Sequence, residues 1–113
     1  MKKERRVTSN IEFQSIIQHK RYVSNGSFVI YIKKRKQEYS RVGISVSKKL
    51  GSAVERNKIK RQCRMMLQTL FELELKFDAV VIVRQGYLTK SYAENEKLLE
   101  KLLNKVKLYG DDH

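Results

Sequence analysis

The sequence predicts a small mixed α/β domain of the α+β type, ordered helix-strand-strand-helix-strand-helix. Three observations predict it: three Ser-x-x-Glu patterns that each open a helix-period run, two stretches of apolar alternation, and one short apolar run lying between two helices. The patterns are Ser9 with Glu12, Ser52 with Glu55, and Ser91 with Glu94. Each resembles a capping box, in which Ser accepts from the backbone N–H three residues on and Glu reaches back to the Ser N–H.

The first helix is expected from about Asn10 to Lys20, with Ile11, Phe13, Ile16 and Ile17 as its apolar positions, and Val23, Asn25 and Gly26 then punctuate a turn. Ser27 to Lys34 alternates Phe28, Ile30 and Ile32 against Val29, Tyr31 and Lys33, the signature of a strand. After a polar turn through Lys36 to Tyr39, Arg41 to Ser47 alternates again. One face is Val42, Ile44 and Val46, and the other is the unusually small set Gly43, Ser45 and Ser47. A second helix is expected from Ala53 to about Phe71. Ala79 to Val83 reads as a strand buried on both faces, which implies a crossover around that helix. The last helix, Tyr92 to Leu108, carries Leu98, Leu99, Leu102, Leu103 and Val106 as one stripe.

Composition bounds the class. The 113 residues include 25 Lys plus Arg, 12 Asp plus Glu, no Pro, no Trp and one Cys, for a formal charge of +13. That is enough apolar content for one core, so residues 1–113 are expected to form a single domain without staples. Cys63 has no partner, and no Cys/His cluster of zinc spacing exists. The longest apolar run falls far short of the roughly 20 residues a membrane span needs, and Met1 to Arg6 lacks the apolar stretch of a signal peptide. A cytoplasmic location is expected.

The charge is uneven. Residues 1–64 hold 18 basic and 4 acidic side chains, net +14, whereas residues 65–113 hold 7 and 8, net −1. A half that basic calls for a polyanion, with nucleic acid the first candidate and an anionic membrane surface the second. At 100° per residue, Arg56, Lys60, Arg64, Asn57 and Arg61 span about 140° of the second helix, while Ile59, Cys63, Met66, Leu67 and Leu70 are expected on the opposite side. Four cations at such spacing repel by a few tenths of a kcal/mol per pair, a cost that an anionic partner removes. Lys48 and Lys49 precede a Gly turn and this helix, so Lys48 to Arg64 is a continuous tract of seven cations and one anion.

The tract R-V-G-I-S-V-S-K-K-L-G-S-A-V-E-R-N-K-I-K-R-Q-C-R, Arg41 to Arg64, resembles the signature of the protein subunit of bacterial ribonuclease P. Weaker likeness extends through N-I-E-F-Q, V-S-N-G-S-F-V-I-Y and V-I-V-R-Q-G. The resemblance implies a ribosomal protein S5 domain 2-like fold, with a left-handed βαβ crossover around the signature helix. It implies a subunit that does no chemistry itself. A catalytic RNA cleaves precursor tRNA to release the 5′ leader, and the protein binds that RNA and the leader. Magnesium belongs to the assembled ribonucleoprotein, with none expected tightly bound to the protein alone, and no obligate protein partner or membrane is implied.

Carried over by position, the resemblance assigns Arg56, Asn57, Lys58, Lys60, Arg61 and Arg64 to RNA contact on the signature helix, with Lys48 and Lys49 in the basic loop before it. It places the leader-binding cleft at Phe13, Ile17, Tyr31, Ser45 and Ser47. Aromatic faces that stack bases, and small strand positions that let a chain approach, suit single-stranded RNA. Phe13 reads equally as core and Tyr31 as an edge aromatic. Three departures stand out: Lys58 where Arg is frequent, Met65 where an acid is common, and Ile17 where an aromatic is frequent. Lys33 to Lys36 reads either as a further RNA contact or as a disordered basic loop. A generic RNA-binding or ribosome-associated protein is the alternative. A self-sufficient nuclease is disfavoured because Glu12, Glu55 and Glu94 read as caps, Glu72, Glu74 and Asp78 border a loop, and His19 and His113 stand apart.

Overall fold

In the computed structural model, which describes residues 6–7, 9–70 and 76–111 (backbone only at 69–70 and 108–111), the chain folds as α1 (Asn10–Gln18), β1 (Tyr22–Ser24), β2 (Phe28–Lys34), β3 (Val42–Val46), α2 (Ala53–Leu70), β4 (Phe77–Val83) and α3 (Tyr92–Asp111). The strands form one mixed sheet in the order β1-β2-β4-β3. β1 and β4 run antiparallel to β2, and β3 runs parallel to β4. The expected crossover is therefore present: β3 and β4 are parallel neighbours joined through α2. The order differs from the expected one by β1. Its three residues are too few for alternation to show, and the Asn-Gly after them reads as the end of a turn rather than the end of a strand.

The two sheet faces carry separate cores. On one, Phe28, Ile30 and Ile32 of β2, Phe77, Ala79, Val81 and Val83 of β4 and Val42 and Val46 of β3 pack against Ile59, Cys63, Met66 and Leu67 of α2 and Leu99, Leu102, Leu103 and Val106 of α3. On the other, Val7, Ile16 and Val80 form a smaller cluster edged by Phe13, Ile17, Tyr31 and Ile82. β4 is thus buried on both faces, as its continuous apolar run predicts.

The three Ser-x-x-Glu patterns have different fates. At α3 the full box forms, with Glu94 N–H donating to Ser91 Oγ and Ser91 N–H donating to Glu94 Oε1, both at 3.2 Å. At α2 only half forms: Glu55 N–H donates to Ser52 Oγ, and the carboxylate takes the Ser52 hydroxyl rather than its N–H. At α1 the expected box is absent. Ser9 makes no side-chain cap bond, and the Glu12 carboxylate pairs with the Arg41 guanidinium.

Other expectations need correction. Ile11, expected on the apolar face of α1, is 82% exposed, since a nine-residue helix on one sheet buries only a narrow stripe. α1 ends at Gln18 rather than Lys20, because Lys20 takes a left-handed backbone, φ 60°. Asp78 does not border a loop; it is a buried member of β4 whose carboxylate accepts from Arg41 N–H at 2.9 Å and lies 3.6 Å from the Arg41 guanidinium. Phe71, Glu72, Glu74 and His113 lie outside the described residues, as does the side chain of Leu70.

The weaker resemblance segments meet in space. Asn25 Oδ1 accepts from Ser27 and Phe28 N–H, both at 3.0 Å, while its Nδ2 donates to Leu98 O of α3 at 3.1 Å. Arg84 of V-I-V-R-Q-G donates to Asn25 O at 2.9 Å. A Cβ on Gly86 would stand 2.1 Å from Gly26 O, so the close approach of the two loops requires glycine there.

Candidate nucleic-acid interface

The interface starts at the end of β3. Ser47 caps a 3-10 turn, Lys48–Leu50, its Oγ accepting from Lys49 N–H at 3.2 Å. Leu50 is buried as the anchor, which leaves Lys48 and Lys49 exposed on the turn. Gly51 follows with φ 149°, where a Cβ would meet the Glu55 carboxylate at 2.7 Å. Only glycine turns the chain into α2 here without strain.

Along α2, Asn57, Lys58 and Arg61 are exposed and Arg56, Lys60 and Arg64 are half-buried. The cationic and apolar faces were expected to oppose each other; instead they adjoin. Arg56, Lys60 and Arg64 border the stripe of Ile59, Cys63, Met66 and Leu67, because on the helical wheel Leu67 falls between Arg56 and Lys60. Their stems cover apolar surface and their charged heads remain outside. Arg56 Nε is buried with no hydrogen-bond partner among the described residues. Glu12 and Asp78 pair with Arg41, and no carboxylate of the described residues forms an ion pair with the α2 cations.

The residues expected to line the cleft lie on α1, the sheet and the turn after β3. Phe13 lies over Gly43, where an added Cβ would stand 2.5 Å from the ring, so the small position on β3 is what lets α1 approach. Ile17 and Tyr31 edge the minor core and are half-buried. Beyond them one row of the sheet, Ser24, Val29, Ile82 and Ser45, follows from the strand register, and none of its four side chains is fully buried. Phe13, Ile17, Tyr31 and Ser45 thus share one face. Ser47 lies past the strand and serves the turn. Sequence reading missed Val29 and Ile82, which look like ordinary core, and Tyr22, whose strand gave no signal. Cross-strand from Tyr31, Tyr22 places its ring centroid 5.3 Å away.

Lys33 and Lys34 belong to β2 rather than to a loop, and Lys33 Nζ donates to Ser15 Oγ of α1 at 2.6 Å. Arg35 N–H donates to Lys76 O at 3.4 Å.

The reactive groups are otherwise occupied. Burial pushes the Cys63 thiol up to about 12. Burial likewise raises Tyr87, whose hydroxyl donates to Gln62 Oε1 at 2.7 Å. Against the opposing effect of desolvation, Arg41 is held above its ordinary value by its bond to Glu12 and by Asp78. Among the described residues, no three His, Cys, Asp or Glu gather as a metal site. Glu12 and Asp78 are committed to Arg41, and Glu55 and Glu94 to helix starts.

A small α+β domain with a cationic helix that no described carboxylate pairs with, beside a partly open sheet, has the charge distribution expected of a nucleic-acid-facing protein. Residues 1–107 match the family described as Ribonuclease P. The Ribonuclease P protein component of Mesoplasma florum is 46% identical over 105 residues, covering 91% of this chain and 96% of that protein. The corresponding protein of Streptococcus agalactiae is 44% identical over 110 residues, covering 97% and 98%. The solved Staphylococcus aureus RNase P protein superposes with a TM-score of 0.83 at 39% identity over 91% of this chain and 97% of that one. For the Thermotoga maritima RNase P protein the values are 0.75, 33%, 90% and 94%. The chain belongs to the ribonuclease P protein family.

Proposed function

We propose that this protein acts as the protein component of ribonuclease P, binding the catalytic RNA through α2 and the Lys48–Lys49 turn, and the 5′ leader of precursor tRNA through the cleft between α1 and the sheet. The observation that carries the proposal is the cationic face of α2, which no carboxylate of the described residues neutralises. Arg56, Lys58, Lys60, Arg61 and Arg64 hold phosphates of the catalytic RNA and of the precursor near its cleavage site, and Asn57 adds a neutral donor and acceptor. Phe13, Ile17 and Tyr31 offer apolar and aromatic contact to the leader, and Ser45 leaves room for its backbone.

The protein has a binding role, not a chemical one. Glu12 and Asp78 pair with Arg41, Glu55 and Glu94 stand at helix starts, and no three His, Cys, Asp or Glu of the described residues converge as a protein-borne two-metal site requires. The RNA rather than this chain would hold magnesium in the assembled ribonucleoprotein, where the metal would supply Lewis-acid chemistry. The chain's cations lower the repulsion between two RNAs brought together, and so reduce the magnesium needed for assembly. No helix is long and apolar enough to cross a membrane among the described residues.

The test compares binding of precursor and mature tRNA to catalytic RNA assembled with this protein. Tighter binding of the precursor, with the difference reduced by Tyr31→Ala, supports the cleft assignment. Equal binding of both tRNAs leaves a generic RNA-binding protein.

A further inference from the structure

One edge of the sheet carries features not used above. β1 is an edge strand, and Tyr22 on it is 56% exposed. Its ring lies on the α1 side of the sheet, tilted by 42° to Tyr31, so two aromatic faces continue from the cleft to the sheet edge. Beside Tyr22 is a shallow depression of about 180 Å³ lined by Lys20, Arg21, Tyr22 and Ile32. The edge is firmly built, with Ile32 N–H donating to Arg21 O at 2.9 Å and Lys20 N–H to Ile17 O at 3.1 Å. Lys20 holds φ 60°, a backbone that residues other than glycine rarely adopt, and its side chain is exposed beside the depression. Ile17 offers apolar contact but no ring face, so the nearest second ring to Tyr31 in this register is Tyr22.

We propose that the β1 edge is a further nucleotide subsite for single-stranded RNA: one base stacks on Tyr22 and the adjoining phosphate is held by Lys20, as the strand leaves the cleft past Tyr31. An exposed ring beside a cation is the pairing that binds single strands without reading their sequence, since every base has a π face and every linkage a charge. The subsite rests on the leader reading of the cleft and lengthens the stretch of leader that the protein holds by one nucleotide.

The experiment assembles the full chain with ribonuclease P RNA and measures affinity for precursor tRNAs whose leaders lengthen one nucleotide at a time. The wild type is compared with Tyr22→Ala, Tyr22→Phe and Tyr31→Ala. The expected result is that Tyr22→Ala abolishes one gain of about 5- to 10-fold at the longer leaders, the lower end of base–aromatic stacking, and leaves shorter leaders unaffected. Tyr22→Phe keeps the gain, which separates stacking from folding. If every gain survives Tyr22→Ala while Tyr31→Ala still weakens the shorter leaders, the subsite is overturned and the cleft reading stands. If neither Ala variant changes any gain, both are overturned.

Discussion

Gly43 and Phe13 show how one missing side chain places an element. With a Cβ 2.5 Å from the Phe13 ring, Gly43→Ala must push α1 away from the sheet. We expect a loss of about 1–3 kcal/mol, the usual cost of overpacking, read as a lower urea midpoint. The α2 cations are predicted to act differently: Arg61→Ala, at an exposed position, leaves stability nearly unchanged, while Arg64→Ala loses only the packing of its stem. Each flattens the salt dependence of RNA affinity by about one unit of slope, and an unchanged slope would place that residue outside the interface. Cys63, with its thiol pushed up to about 12 by burial, should resist thiol reagents at pH 8 in the native protein and react only as the chain unfolds. At this scale the sequence is legible where a residue's chemistry is its role, as in Lys48, Lys49 and the α2 cations. It is opaque where the role is set by a neighbour far along the chain, as for Asp78, which the sequence leaves at a loop edge and the fold seats against Arg41.

Among elements, those with several turns or several alternations are the legible ones: α2, α3 and β2 stand close to where their periodicity puts them. β1 was hidden by its brevity, whereas α1 begins at Asn10 where its periodicity puts it, although the Ser9 side chain makes no cap bond. α1 is instead fastened by Glu12 to Arg41, which Asp78 holds from the other side. Half-exposed Glu12 should contribute at most about 1 kcal/mol, so Glu12→Ala is mild. Removing buried Asp78 strands Arg41 and its N–H, so Asp78→Ala is expected to cost about 3 kcal/mol in denaturant unfolding. The Ser91 backbone N–H, which donates to the Glu94 carboxylate, and then the Ser91 side chain hold Glu94 below the ordinary carboxylate range. Its contribution is therefore present above the unfolded Glu value, about 4.3, and lost as pH falls through the lower folded value. Glu94→Ala should remove that part of the acid dependence of stability while changing little once the carboxyl is protonated in both folded and unfolded states.

For the whole molecule, a charge of +13 acts in two directions. Like charges crowded on residues 1–64 repel one another, so added salt should stabilise the free protein while weakening its hold on RNA. The uneven distribution was legible from sequence, as was the signature that carries the family likeness. The row Ser24, Val29, Ile82 and Ser45 was not, because it exists only once four strands from distant segments lie in register. The central claim is that the protein assists an RNA catalyst, and the most direct measurement is cleavage of a leader-bearing precursor tRNA by a bacterial ribonuclease P RNA at low magnesium, with the RNA alone, the protein alone and both. Correct 5′ cleavage only when both are present is the predicted result. Cleavage by the protein alone, abolished by substituting one of its carboxylates, would contradict it.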